Sequence, residues 1–222
     1  MHNSINRKEY DMDLRDIRQD YMQKPLDISS YKDTPGKLLE VWFEDAIRED
    51  LPLPNAVTLS TIGLDDFPNA RVVLVKEVQH DGLVIYTDYE SIKGLEIDKN
   101  NHVAITILWK GLERQIRIKA KCEKVSYEES DKYFRSRPKG SQISAVASQQ
   151  SQQVEYAELS ARSEALEKKY KNVQSLPCPK NWGGYRCTFY QIEFWQGRPN
   201  RLHDRFQFSK NDLVWNLERL SP

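Results

Sequence analysis

The 222-residue sequence predicts a mainly β, antiparallel fold with α decorations, built as a small closed or nearly closed barrel. Three observations predict it. Apolar, β-branched runs recur along the chain. Most links between them are short hairpin turns, which parallel strands cannot use. Finally, Ile116, Ile118, Ala120 and Cys122 alternate with Gln115, Arg117, Lys119 and Lys121, the period of a strand with one buried face.

The elements follow in order. Residues 1–33 form a polar lead-in, with Leu14, Ile17 and Tyr21 on one side of a short helix. Thr34 and Pro35 open the first strong helix, because Thr caps and Pro loses nothing where its missing N–H has no partner. Leu39, Trp42, Phe43, Ala46 and Ile47 recur at three- and four-residue spacing and predict one buried stripe. Strands over 56–62 and 70–78 flank the turn-prone Asp65–Asn69, and His80-Asp81-Gly82 leads into a strand over 83–87. A short helix over 91–100 precedes strands over 102–109 and 112–125. Ser126 and Glu129 have the spacing of a capping box, for a helix that stops before Arg137-Pro138. Helices over 141–148 and 154–170 follow, then strands near 185–195, 205–208 and 213–217, six or seven strands in all. Trp182-Gly183-Gly184 reads as a tight turn, Ser148–Gln153 as a loop and Cys122 as core. Residues 34–222 thus form a single domain.

Composition excludes several classes. Lys+Arg and Asp+Glu number 33 each, so no global field attracts polyanions, which argues against a nucleic-acid partner. No run reaches the ~18 apolar residues of a membrane helix, and the N-terminus lacks a signal-peptide core, so no membrane association and a cytoplasmic location are expected. Three cysteines without a CxxC pair predict neither a disulfide framework nor a metal site. There is no glycine-rich nucleotide loop, H-E-x-x-H or G-x-S-x-G.

Three constellations carry chemistry. Arg71 and Lys76 bracket Val72, Val73, Leu74 and Val75, with the two cations on opposite faces of a strand; Tyr86, Thr87, Ser91 and Lys93 follow. The plain reading is a core strand with solvated ends; the sharper one makes each cation a phosphate ligand, supported by a helix N-terminus. Tyr133, Arg135, Arg137, Ser141 and Gln142 have the composition of an anion pocket, or of a solvated helix end. Trp195, Arg201, His203, Asp204 and Arg205 join two strands, where Trp and Arg can cover a flat ring and His can hydrogen-bond, or the segment is an ordinary charged loop.

These segments, from about Leu38 to Pro222, resemble the pyridoxine (pyridoxamine) 5′-phosphate oxidase family. The resemblance is densest at Arg71–Lys76, Leu112–Gln115, Tyr133–Gln142, Gln191–Gly197 and Arg201–Arg205, and the C-terminal Glu218–Pro222 also fits. It implies an FMN-binding split β-barrel, homodimeric through a C-terminal dimerisation segment, with two FMN sites at the subunit interface. The implied reaction oxidises pyridoxine 5′-phosphate and pyridoxamine 5′-phosphate to pyridoxal 5′-phosphate, within vitamin B6 salvage. Hydride passes from C4′ to flavin N5, O2 is reduced to H2O2, and the amine releases ammonia. FMN contacts are implied for Arg71, Val72, Val73, Leu74, Val75, Lys76, Tyr86, Thr87, Lys93 and Gln115, with Gln150, Ser151, Trp195 and Arg205 reaching across the interface. Lys76, Tyr133, Arg137 and Ser141 would grip the substrate phosphate, Arg201 and His203 would act on the pyridine ring, and Arg18 and Tyr21 would close over it. Two positions depart from the family: Ile92 stands where it usually has Arg, and Val146 where it usually has Trp.

Two other classes compete. A non-catalytic split barrel binding flavin, haem or pyridoxal phosphate would not need Tyr133, Arg137, Ser141, Arg201 and His203 together. A flavin reductase would need a nicotinamide site, for which the sequence offers no feature.

Overall fold

Proline at the first helical position and a stripe of apolar residues produce α1 (Pro35–Arg48), which buries Leu38, Leu39, Trp42, Phe43 and Ala46. Ile47, expected in that stripe, is 64% exposed at its edge in the final turn. The computed structural model describes residues 20–212 and 214–222, so the expectations for Leu14, Ile17 and Arg18 lie outside the described residues.

Strands β1 (Ala56–Ile62), β2 (Pro68–Gln79) and β3 (Gly82–Asp88) form consecutive hairpins. Helix α2 (Ile92–Lys99) leads to β4 (His102–Trp109) and β5 (Arg114–Lys124). As the alternation predicts, Ile116, Ile118, Ala120 and Cys122 of β5 are buried while Arg117, Lys119 and Lys121 are exposed. Ser126 and Glu129 form the reciprocal capping box of α3 (Tyr127–Ser136). Helices α4 (Lys139–Ala147) and α5 (Tyr156–Lys169) precede β6 (Trp182–Gln196), β7 (Asp204–Asn211) and β8 (Val214–Arg219).

The sheet has eight strands rather than six or seven, in the order β3-β2-β1-β4-β5-β6-β7-β8, and a β3–β6 pairing closes the first six into a barrel. Strand β6 makes this closure. Its residues 182–188 pair with β3, its residues 191–196 pair with β7, and β5 runs along its other edge. The crossover coincides with a register shift that leaves Tyr190 unpaired with β5. The barrel interior is filled by one apolar cluster that includes Leu59, Ile105, Ile116, Phe194 and Phe208. A second, smaller cluster of Phe134, Ile143, Leu176, Cys178 and Trp182 seats α3 and α4 against the barrel. Among the described residues no helix is long and apolar enough to cross a membrane.

Trp182-Gly183-Gly184 is not a tight turn. It begins β6, paired with Asp88, Thr87 and Tyr86. Neither glycine has positive φ; both are required by close packing. A Cβ on Gly183 would overlap the Tyr89 hydroxyl and Ser130 Oγ, groups that hydrogen-bond the Gly184 carbonyl and amide. Gly183→Ala is therefore expected to destabilise the fold by about 1–3 kcal/mol. Urea unfolding measures this, and an unchanged midpoint would contradict the packing.

Candidate functional site

Strands β2 and β3, helices α3 and α4 and the start of β6 enclose a cleft of about 590 Å3, which brings together Lys76, Tyr86, Thr87, Lys93, Tyr133, Arg137, Ser141 and Gln150. Each side chain is aimed by local structure. Against β3, Val75 faces Ile85 and Glu77 faces Val84, so Lys76 is the extra residue of a bulge. Helix α3 ends at Arg137 because Pro138 cannot continue it. Buried Gln142 then fixes the corner. Its Nε2 donates to the carbonyls of Arg137 (2.8 Å) and Arg135 (3.3 Å), and its Oε1 accepts the Leu176 N–H (2.8 Å). Gln142 thus serves the frame, and Arg135 pairs with Asp131 outside the cleft.

The Arg137 guanidinium lies 4.8 Å from the centroid of the Trp182 ring, with its Nη1 buried and without a hydrogen-bond partner. Tyr133 stacks on Tyr86 at 3.9 Å. Burial and Glu77, which accepts from the Tyr86 hydroxyl at 3.3 Å, push the Tyr86 pKa up; burial does the same to Tyr133. Both are neutral phenols; Tyr86 gives its proton to Glu77, and Tyr133 can donate to an anion.

Ser91 caps α2 by accepting the Gly94 N–H, and the first-turn N–H of Ile92 donates to Ser151 Oγ at 3.3 Å. Lys93 Nζ donates to Gln150 Oε1 (2.8 Å), Thr87 Oγ1 (3.2 Å) and Ser91 Oγ (3.4 Å). Burial, and then the neighbouring Arg71 charge, lower the Lys93 pKa from its ordinary 10.5. Arg71 itself is outside the cleft lining. It forms an ion pair of 2.8 Å with buried Glu96, which Thr61 and Asn69 also hold. Val75 is likewise in the barrel core, whereas Val72 and Leu74 are exposed at the cleft.

The charge balance of this cleft is distinctive. Among the described residues, none of Lys76, Lys93 and Arg137 has a carboxylate within ion-pair distance. The one carboxylate in the lining, Asp88, has its pKa raised by burial. Converging cations with an orphaned guanidinium N–H suit a phosphate monoester, whose oxygens accept several charge-assisted hydrogen bonds.

A second cluster lies at the far end of β6. Tyr21, Trp195 and His203 pack with ring centroids 4.6–5.4 Å apart. His203 Nδ1 accepts the Arg198 N–H at 3.1 Å, so the neutral ring carries its proton on Nε2. Burial and the Arg201 charge hold its pKa below the ordinary 6.5. In the sequence Asp204 is one charge of a loop; in the fold it is buried. It accepts from Arg198 Nη1 (3.0 Å), the Leu26 N–H (3.1 Å) and Arg219 Nη2 (2.6 Å), joining the loop, the lead-in and β8. Arg205 grips Glu193 through Nε and Nη2, and Gln115 faces Trp195 across the β5–β6 ladder. Arg201 stays exposed, with a left-handed φ of 60°.

Trp195, Arg201, His203 and Arg205 do not line the cleft of their own chain; for Trp195 and Arg205 the resemblance implies a reach across the interface. Trp182 and Trp195 are thirteen residues apart on β6, about 40 Å along the strand. Gln150, expected from across an interface, is bonded to Lys93 and Thr87 of its own chain, and Ser151 to its own Ile92.

Family comparison addresses the same two regions. Residues 43–175 match the pyridoxamine 5′-phosphate oxidase family, and residues 182–222 match the pyridoxine 5′-phosphate oxidase C-terminal dimerisation region. The chain is 46% identical over 210 residues to a pyridoxine/pyridoxamine 5′-phosphate oxidase of Acaryochloris marina, covering 94% of this chain and 95% of that protein. It is 42% identical over 212 residues to the enzyme of that name from Salinibacter ruber, covering 94% and 99%. The chain belongs to the pyridoxine/pyridoxamine 5′-phosphate oxidase family.

Among solved structures, PhzG from Burkholderia lata, in complex with tetrahydrophenazine-1-carboxylic acid, is similar at a TM-score of 0.85 and 25% identity, over 90% of this chain and 99% of that one. An FMN-binding protein from Nostoc punctiforme shares the fold, with a TM-score of 0.71 and 16% identity, over 85% and 98%. The split barrel is thus the architecture of this oxidase-family chain. Ile92 leaves a half-exposed apolar side chain at the first turn of α2, and Val146 packs against the smaller core.

The lowered Lys93 pKa gives the cleft a pH dependence. Phosphate binding needs the ammonium, which is lost as pH rises through a value below that of a free lysine. Affinity for inorganic phosphate is therefore expected to fall on the alkaline side, before pH 10.5. Titration calorimetry of wild type and Lys93→Met tests this, and an identical alkaline fall in the variant would assign it elsewhere.

Proposed function

We propose that the chain oxidises pyridoxine 5′-phosphate and pyridoxamine 5′-phosphate to pyridoxal 5′-phosphate, with FMN as cofactor and O2 as final oxidant. It works as a homodimer in which each cleft is completed by the other subunit. The observation that carries the reading is the set of cations without carboxylate partners around one cleft, with the orphaned Arg137 Nη1 among them. Two phosphates have room to be held apart. Lys93, Thr87 and Gln150 would hold that of FMN; Lys76, Tyr133, Arg137 and Ser141 would hold that of the substrate. The exposed Val72 and Leu74 offer apolar surface to a flat ring.

FMN, when bound, supplies a two-electron acceptor that O2 re-oxidises with release of H2O2. The chain supplies position. Binding energy from the substrate phosphate fixes the pyridine ring, converting an encounter into an oriented contact. Since one β6 separates the cleft from the Trp195–His203 cluster, completion falls to the partner's Arg201 and the partner's His203. The His203 tautomer directs an Nε2 proton outward, suited to the ring's 3-oxygen, and the exposed Arg201 guanidinium can cover the ring's outer face. Tyr21 and Trp195 help to exclude water. The alcohol gives the aldehyde directly; the amine gives an imine that water hydrolyses to the aldehyde and ammonia.

Purified protein should be yellow and should be bleached by pyridoxine 5′-phosphate without oxygen. Bleaching by NADH alone would favour a reductase, and no bleaching by either would favour a non-catalytic flavin carrier. Arg137→Ala is expected to raise KM roughly 10- to 100-fold, the loss of a charge-assisted hydrogen bond, with flavin retained. Flavin loss at unchanged KM would contradict the division of the cleft. Ile92→Arg is expected to tighten FMN by a similar factor in fluorescence titration. An unchanged Kd would show that another group fills that role.

A further inference from the structure

Cys122 and Cys187 lie outside the proposed chemistry and face each other directly across the β5–β6 ladder, inside the barrel. The Cys122 N–H donates to the carbonyl of Asn101, just before β4, at 2.8 Å, so its backbone polar groups point away from β6. The two therefore form a non-hydrogen-bonded cross-strand pair. That is the narrower kind, with Cα atoms about 4.5 Å apart, inside the roughly 4.4–6.8 Å that a disulfide spans. The thiols are free, and their sulfurs are in contact at 2.7 Å. Cys178 belongs to the other apolar cluster, so neither thiol has a competing partner. Cys122 is also among the residues around a second cleft, about 620 Å3, that carries Asp98, Lys99, His102, Glu123 and Lys124.

We propose that Cys122 and Cys187 are a peroxide-oxidisable dithiol that closes to a cross-strand disulfide within the barrel. One sulfur attacks a peroxide oxygen, the O–O bond breaks, and a sulfenic acid and one water result. The second sulfur then displaces the hydroxyl as a second water, forming the S–S bond. The two sulfurs together lose two electrons to the peroxide, and both thiol protons end in water. The hydrogen bond between the two thiols, which holds the proton on Cys122, and burial raise the Cys122 pKa, so the thiol stays protonated and the reaction is slow. The pair answers sustained oxidant rather than a transient pulse. The bond would tie residues 65 positions apart, where β6 is also held by β3. Peroxide is a product of the reaction proposed above, but this inference holds for peroxide from any source.

The full-length protein, treated with hydrogen peroxide and then alkylated under denaturing conditions, tests it. The expected result is a mass loss of about 2 Da before alkylation. One alkylated thiol should remain in place of three, with a peptide linking Cys122 to Cys187 and a Tm increase that dithiothreitol reverses. Cys178→Ser should retain the whole response, and Cys187→Ser should lose the link and the Tm shift. The wild-type peptide map decides the matter even if Cys187→Ser fails to fold. Three alkylatable thiols, a gain of about 32 Da without a link, or a link through Cys178 would each overturn the proposal.

Discussion

Strand β6 has three neighbours, and the rest of the molecule is arranged around that fact. Its first half pairs with β3 and closes the barrel; its second half pairs with β7 and carries the sheet beyond it. A strand this long places its two ends in different surroundings. Trp182 stands under the Arg137 guanidinium at the cleft, and Trp195 packs with His203 and Tyr21 at the other end. The separation is fixed by backbone rise, so side-chain motion cannot remove it. If both clusters serve one reaction, two copies of the strand must meet, which gives the family's C-terminal dimerisation region a chemical reason to exist.

The cleft illustrates how a fold sustains converging positive charge. Lys93 donates only to neutral oxygens, and Arg71, the charge that bears on it most, is itself paired with Glu96. Glu96 is fully buried and saturated by Thr61, Asn69 and Arg71, and its pull on Lys93 ranks behind burial, Arg71 and Asp88. Arg137 is left with an unsatisfied buried N–H, an arrangement that costs stability. An anion bound as proposed would relieve that cost, which would set stability and affinity against each other at Arg137.

Local chemistry was the legible part of the sequence. Helix α1, strands β1 and β4 and the capping box of α3 have boundaries set by proline, alternation and a four-residue motif, all of which act over a few residues. What was not legible depended on distant partners. The two glycines after Trp182 look like a turn until β3, about a hundred residues earlier, is seen to lie against them. Arg71 looks like a free phosphate ligand until α2 brings Glu96 to it. Gln150 sits in a polar run with no periodicity, and only the folded chain shows that its amide oxygen faces Lys93. Asp204 reads as one more charge in a loop, yet it is the acceptor for three separate segments.

Composition left Arg201 and His203 in a cluster apart from the phosphate-binding residues, and the resemblance joined the two because the chemistry needs them together. The coordinates separate them because a single β6 cannot be in two places. Conversely, Asp204 shows why the remote cluster is rigid enough to be useful. By accepting from Arg198, it steadies the backbone whose N–H fixes the His203 tautomer, and by accepting from Leu26 it draws Tyr21 onto the same ring. A histidine that must present the same nitrogen to an incoming ligand needs such a frame. Nothing in the spacing of Arg201, His203 and Asp204 alone reveals that the aspartate acts on the histidine through a third residue.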